Sequence, residues 1–129
     1  MNHLQDTRYT DIFRVAFAFT VTLISYLAFG HLEQTPVASF NDKLEHIIAF
    51  AALAFLLDFA WPRQAWGLPK LLPLLAYGLL IELVQYFLPH REFSLWDLAA
   101  DALGLLTYPL TLPLLKQTPG LALRWNSYH

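Results

Sequence analysis

Residues 12–30, IFRVAFAFTVTLISYLAFG, carry the segment that decides the fold class. At about 1.5 Å per helical residue this stretch matches a hydrocarbon core of roughly 30 Å. Its one charge, Arg14, stands close enough to the start to snorkel toward water. No small-residue cleavage pattern accompanies it, so it reads as a retained membrane span rather than a removable signal. The preceding residues 1–11 are polar and mixed in charge.

Composition agrees with lipid as the solvent. Of 129 residues, 57% are hydrophobic and only 14% charged, against about a quarter charged in a soluble domain. A water-soluble chain of this length would need a charged coat, and long stretches here supply none. Net charge is -2 with no basic run, which argues against a nucleic-acid footprint. There is no cysteine, so disulfides, thiolate metal sites and a cysteine nucleophile are excluded.

Three further apolar stretches follow, over residues 44–61, 71–88 and 95–115. Turn chemistry separates the four: Thr35-Pro36, then Trp61-Pro62 through Gly67 to Pro69, then Pro89. Each later stretch carries acidic residues, and a central Asp costs roughly 2.5 to 3.5 kcal/mol on insertion scales. Such helices need neighbours that shield the charge, or ends where it reaches water. The expected fold is therefore all-α, an integral membrane four-helix bundle occupying residues 12–115, with segments 1–11 and 116–129 outside it. Pro73, Pro109 and Pro113 fall inside proposed spans and predict kinks.

Counting basic residues orients the bundle. Arg8, Arg14, Arg63, Lys70, Lys116 and Arg124 lie on the side of the two termini, against Lys43 and Arg91 opposite. Both termini are expected to be cytoplasmic. Trp61, Trp66 and Trp125 would then lie near the inner interface, and Trp96 and Tyr86 near the outer one.

In this topology the polar residues gather at the outer end. Asp42, Lys43, Glu45 and His46 open the second helix, Glu82, Gln85 and Tyr86 close the third, and Asp97 and Asp101 open the fourth. His90, Arg91, Glu92 and Ser94 lie between the last two. Helical spacing gives each helix one polar stripe: Asp42 with His46; Gly78, Glu82 and Gln85; Asp97, Asp101, Gly104 and Tyr108. Glu82 lies six residues before one helix end and Asp101 six residues into the next, about 9 Å deep each at helical rise. The two carboxyls are expected to meet as a coupled pair. In a low dielectric, either one stays protonated or both share Lys43, Arg91 or a metal.

Purely structural roles are open to the same residues. Ser94 and Asp97 have capping-box spacing, and Asp42 and Glu45 suit a first helical turn. His46 alone reads as an interfacial histidine and Gln85 as an interhelical hydrogen bond. Asp58, at the other end, is expected to pair with Arg63 or to reach the interface. Phe13, Phe17, Phe19, Tyr26 and Phe29 read as lipid-facing or packing surface.

Three blocks carry a family likeness: Asp42-Lys43-x-x-His46-x-x-x-Phe50-x-x-Leu53, then Gly78-x-x-x-Glu82-x-x-Gln85-x-Phe87-x-Pro89-x-Arg91, then Asp97-x-x-x-Asp101-x-x-Gly104. The pattern resembles the VanZ-like family. The resemblance implies a bacterial inner-membrane protein in a family named after a member conferring resistance to the lipoglycopeptide teicoplanin. Other members lie near envelope polysaccharide genes, and the family implies no defined reaction. Where the family usually has Asn, this chain has Asp101, which adds a negative charge.

Three functions fit these residues. The first is binding of a membrane lipid or lipid-linked envelope precursor by its head group, with Lys43 and Arg91 for phosphate and Asp42, His46, Glu82, Gln85, Asp97 and Asp101 lining the pocket. The second is an enzyme acting on such a head group, with His46 or Glu82 as general base. No cofactor is required by the first reading; a divalent metal held by His46, Glu82, Asp97 and Asp101 belongs to the second. The third is a small proton-coupled transporter, against which the charges cluster at one end and no inverted repeat is present. A purely structural partner subunit completes the alternatives.

Overall fold

A computed structural model describes the backbone of residues 3–29, 39–89 and 94–128 and the side chains of residues 6–29, 43–89 and 94–126. Among the described residues all regular structure is helical. In order these are α1 (His3–Phe29), α2 (Ser39–Ala60), α3 (Leu68–Phe87), α4 (Leu95–Thr107), a 3-10 turn (Tyr108–Thr111), α5 (Leu112–Gln117) and α6 (Pro119–Tyr128). The all-α expectation holds.

Local chemistry explains the boundaries. α3 starts where Gly67 offers its carbonyl to the amides of Lys70 and Leu71, with a proline in the first turn, the position where a missing N–H costs nothing. Pro73 leaves α3 unbroken, since the carbonyl it deprives lies in that same first turn. At Pro109 the helix tightens into the 3-10 turn, and Pro113 enters the first turn of α5. α1 begins well before residue 12, because nothing in the polar segment after His3 breaks a helix.

Among the described residues three helical stretches are long and apolar enough to cross a membrane: Asp6–Phe29, Leu68–Phe87 and Leu95–Gln117. α2 has 22 residues, about 33 Å at helical rise, but carries four charged residues, Asp42, Lys43, Glu45 and Asp58. It is also the most enclosed, packing against α1, α3 and α4. The buried core is apolar: Phe50, Leu53, Ala54, Leu74, Ile81 and Leu105, closed by Tyr108. Outside it Val15, Phe19, Leu80, Leu106 and Leu110 are exposed, a coat suited to lipid rather than water.

Polar side chains on the inward faces tie helices together. The Ser25 and Tyr77 hydroxyls are 2.6 Å apart, Tyr77 Oη donates to the Val21 carbonyl, and Gln85 donates to the Ala28 carbonyl. All three join α1 to α3. Of the aromatic run on α1, Phe13 packs edge-on and tilted against Phe55 and Phe59, whereas Phe19 and Tyr26 face outward.

The closest approach is between α2 and α4. A Cβ on Gly104 would collide with the Ile47 carbonyl oxygen and lie 3.0 Å from the Ala51 nitrogen. Only glycine allows this crossing, the small-residue contact by which apolar helices approach in lipid.

At the C-terminal end of α2, Asp58 departs from expectation. It does not pair with Arg63, which the Trp61-Pro62 turn carries outward to an exposed position. Lys70 reaches back from the first turn of α3 to Asp58 Oδ1 at 2.7 Å, and Arg124 of α6 reaches the same oxygen at 2.7 Å. Tyr108 Oη donates to the other oxygen at 2.5 Å. Lys70 further donates to the carbonyls of Trp61 and Gln64, and Arg124 to those of Asp58 and Gln64. The four side chains are 1–2% exposed. Residue 124, expected in an outside segment, thus pins α6 to the loop between α2 and α3.

Candidate functional site

His46 and Asp58 are twelve residues apart on α2, about 18 Å along the helix, so a second polar cluster stands well away from the first. It is built where α2, α3 and α4 meet at the other end. Lys43 and His46 share one face of α2, and Asp97 and Asp101 lie one turn apart on α4. Lys43 Nζ is ion-paired with Asp97 Oδ1. His46 Nδ1 is 2.6 Å from Asp101 Oδ1, and His46 Nε2 is 3.8 Å from Asp97 Oδ2.

The N-terminus of α4 accounts for the position of Glu82. Ser94 caps the helix, its hydroxyl accepting from the Asp97 amide at 3.3 Å. In a reciprocal capping box the Asp97 carboxyl would return to the Ser94 amide. Here Glu82 Oε2 of α3 accepts that N–H instead, at 2.9 Å. The exchange leaves Asp97 for Lys43 and His46, and anchors a fully buried carboxylate of α3 on α4. The half of the capping box predicted from spacing is present; the other half belongs to a different helix.

Gly78 completes the arrangement. A Cβ there would lie 2.8 Å from Asp101 Oδ2 and 3.3 Å from the Phe50 ring. Its place on the stripe of Glu82 was legible in the sequence; its purpose, room for the Asp101 carboxyl, was not.

The predicted residues therefore divide. Lys43, His46, Glu82, Asp97 and Asp101 come together, with Glu82 and Asp101 both fully buried. Gln85 is turned to α1 through its bond to Ala28. The side chain of Asp42, and Arg91 altogether, lie outside the described residues. Tyr108, on the same α4 stripe as Asp97 and Asp101, serves the Asp58 cluster. The network of Lys70, Arg124 and Tyr108 around Asp58 was missed. Only the helical spacing of Tyr108 hinted at it, because Arg124 comes from a segment with no apolar periodicity to place it.

Chemically the site is one lysine and one imidazole facing three carboxylates, mostly removed from water. Such a set suits recognition of hydroxyls or cations, or proton transfer by a histidine oriented by an acid. One ligand atom from each of His46, Glu82 and Asp97 lies within 4.8 Å of the others.

Fold and site together define an all-helical protein of membrane-helix character with a buried acid–histidine cluster at one end. The family model described as VanZ/LLP1 matches residues 3–116, nearly the whole chain, and the protein belongs to the VanZ-like family. An uncharacterized protein of Schizosaccharomyces pombe is 37% identical over 98 residues. That alignment covers 70% of this chain and 57% of the yeast protein, so the chain spans little more than half of its relative. No solved structure matches the chain.

Proposed function

We propose that α1 to α4 form a four-helix bundle in the membrane with both termini cytoplasmic, and that its outer end binds the polar head group of a lipid or lipid-linked glycan. One observation carries the reading: five polar residues from three helices converge, three of them carboxylates at most 8% exposed, among helices whose outward faces carry apolar residues such as Val15, Phe19, Leu80 and Leu106. Burying charge in this way costs free energy, and an intramembrane ionisable cluster is by default a candidate functional site. Carboxylates and imidazole suit sugar hydroxyls and amines, and Lys43 offers a cation for phosphate. Orientation rests on the basic-residue count. In a bacterial host the membrane is the plasma membrane and the ligand an envelope precursor, which is how a link to glycopeptide resistance would arise. A yeast relative makes ligand chemistry the better description than organism.

A second reading, turnover of the bound head group, is favoured by the 2.6 Å contact of Asp101 with His46, which would orient the imidazole as a general base. Proton-coupled transport is disfavoured by the core between the two polar clusters, where Phe50, Leu53, Ala54, Ile81 and Leu105 are apolar.

The test is equilibrium binding of a short-chain isoprenyl phosphate sugar to the detergent-purified chain. Saturable binding is expected, weakened at least tenfold, about 1.4 kcal/mol, in Glu82→Gln. If the isoprenyl phosphate without its sugar bound equally well, the glycan half of the proposal would be wrong. Absence of saturable binding by either probe and by bilayer phospholipids would remove the ligand reading entirely.

A further inference from the structure

Among the described residues the outer site sets one lysine against three carboxylates, and with a neutral imidazole these carry an excess of negative charge in a place with little water. How each group is engaged indicates what offsets it. Asp101 Oδ1 holds His46 Nδ1. An acid on one ring nitrogen fixes the tautomer and directs the lone pair of the other outward, as seen behind metal-bound histidines. That other nitrogen, Nε2, faces Asp97 Oδ2, while Lys43 occupies Asp97 Oδ1. Glu82 Oε2 accepts from the Ser94 amide. Its second oxygen, Oε1, is buried in a 0% exposed side chain and has no hydrogen-bond partner among the described residues.

Two ways of offsetting the charge make different demands on that oxygen. A shared proton would place a hydrogen bond on Glu82 Oε1, to or from a neighbour, and among the described residues none is made. A cation needs the lone pair unengaged. The spacing also fits: the candidate ligand atoms lie within 4.8 Å of one another, a separation that a shift of about an ångström closes onto one ion with bonds near 2.0–2.2 Å.

We infer that His46, Glu82 and Asp97 hold a divalent cation, with Asp101 as the residue that positions the imidazole. One imidazole and two carboxylates favour zinc or manganese over magnesium or calcium, which prefer all-oxygen sets. Three protein ligands leave a coordination position open, and a phosphate or hydroxyl oxygen of the head group would fill it. Only this last step rests on the ligand reading above; the cation site stands on its own geometry.

The experiment uses the full chain, purified without an affinity tag in detergent, stripped with chelator and titrated with zinc and with manganese by equilibrium dialysis and elemental analysis. One equivalent per chain is expected for at least one of the two, with affinity reduced at least a hundredfold by His46→Gln and by Glu82→Gln. The stripped wild-type chain should also gain thermal stability on adding back the cation, a readout that needs no variant. Failure to bind one equivalent would overturn the inference. So would equal binding by both variants, which would place the ion elsewhere on the chain, or binding of magnesium or calcium alone. A chain that binds the isoprenyl sugar without a cation fails this inference only; one that binds the cation without the sugar fails only the ligand reading.

Discussion

Gly104→Ala is expected to unfold the contact between α2 and α4. Helix propensity alone would favour alanine by about 1 kcal/mol. Against this, the new methyl would meet the Ile47 carbonyl oxygen within van der Waals contact and the Ile47 carbonyl carbon at 3.1 Å. Both are backbone atoms of a packed helix, so no rotamer change relieves the clash and the helices must separate. Overpacking costs about 1 to 3 kcal/mol, more when backbone is displaced, and separation would also open the Lys43–Asp97 and His46–Asp101 contacts. The net loss should be about 2 kcal/mol or more, read as a fall in thermal midpoint in detergent together with loss of ligand binding. Gly120→Ala is the control: nothing lies within 4 Å of a Cβ there, and the midpoint should not fall.

Asp58→Asn should be at least as damaging. Among the described residues the aspartate is the single carboxylate contacted by both Lys70 and Arg124. Neutralising it leaves two buried cations facing each other, and removal of one partner from a buried ion pair costs about 3 to 5 kcal/mol. Lys70→Met leaves a balanced Asp58–Arg124 pair; the Trp61 carbonyl loses its lysine donor, whereas the Gln64 carbonyl and the Asp58 oxygens that lose it keep Arg124. The asymmetry is the informative result: Asp58→Asn well below Lys70→Met in stability by denaturant titration. Equal effects would mean that the cluster acts by hydrogen bonding rather than by charge. Because Arg124 comes from α6, Asp58→Asn should also expose α6 to protease before the rest of the chain opens.

How much of this was legible follows from the range of each interaction. Span length and apolar content are local properties, so the stretch after residue 12 and the helical class could be read directly. Stripes are local too, which is why Lys43, His46, Glu82, Asp97 and Asp101 could be gathered at one end before any contact was known. Partner choice is not local. Spacing predicted a capping box for Ser94 and Asp97, and could not reveal that Glu82 of α3 takes the Ser94 amide. Proximity in sequence offers Asp58 either Arg63 or the interface, whereas a proline turn sends Arg63 outward and Lys70 and Arg124 hold the carboxylate. Gln85 and Tyr108 lay on the right stripes but are turned to α1 and Asp58, because a stripe wide enough to touch two neighbours does not say which one each residue meets. The role of Gly104 was equally hidden, since a glycine in a helix signals a close approach without naming the helix that approaches.

In the proposed orientation the Lys43–His46–Glu82–Asp97–Asp101 cluster opens on the outer face while the Asp58 cluster lies at the cytoplasmic end. The chain has no cysteine, so single cysteines can be placed without a background. Glu45→Cys and Arg63→Cys, both at exposed positions near opposite ends, are to be labelled in intact cells with a membrane-impermeant maleimide. Residue 45 is expected to be labelled from outside and residue 63 only after permeabilisation. The reverse pattern, or labelling of both from one side, would contradict that orientation.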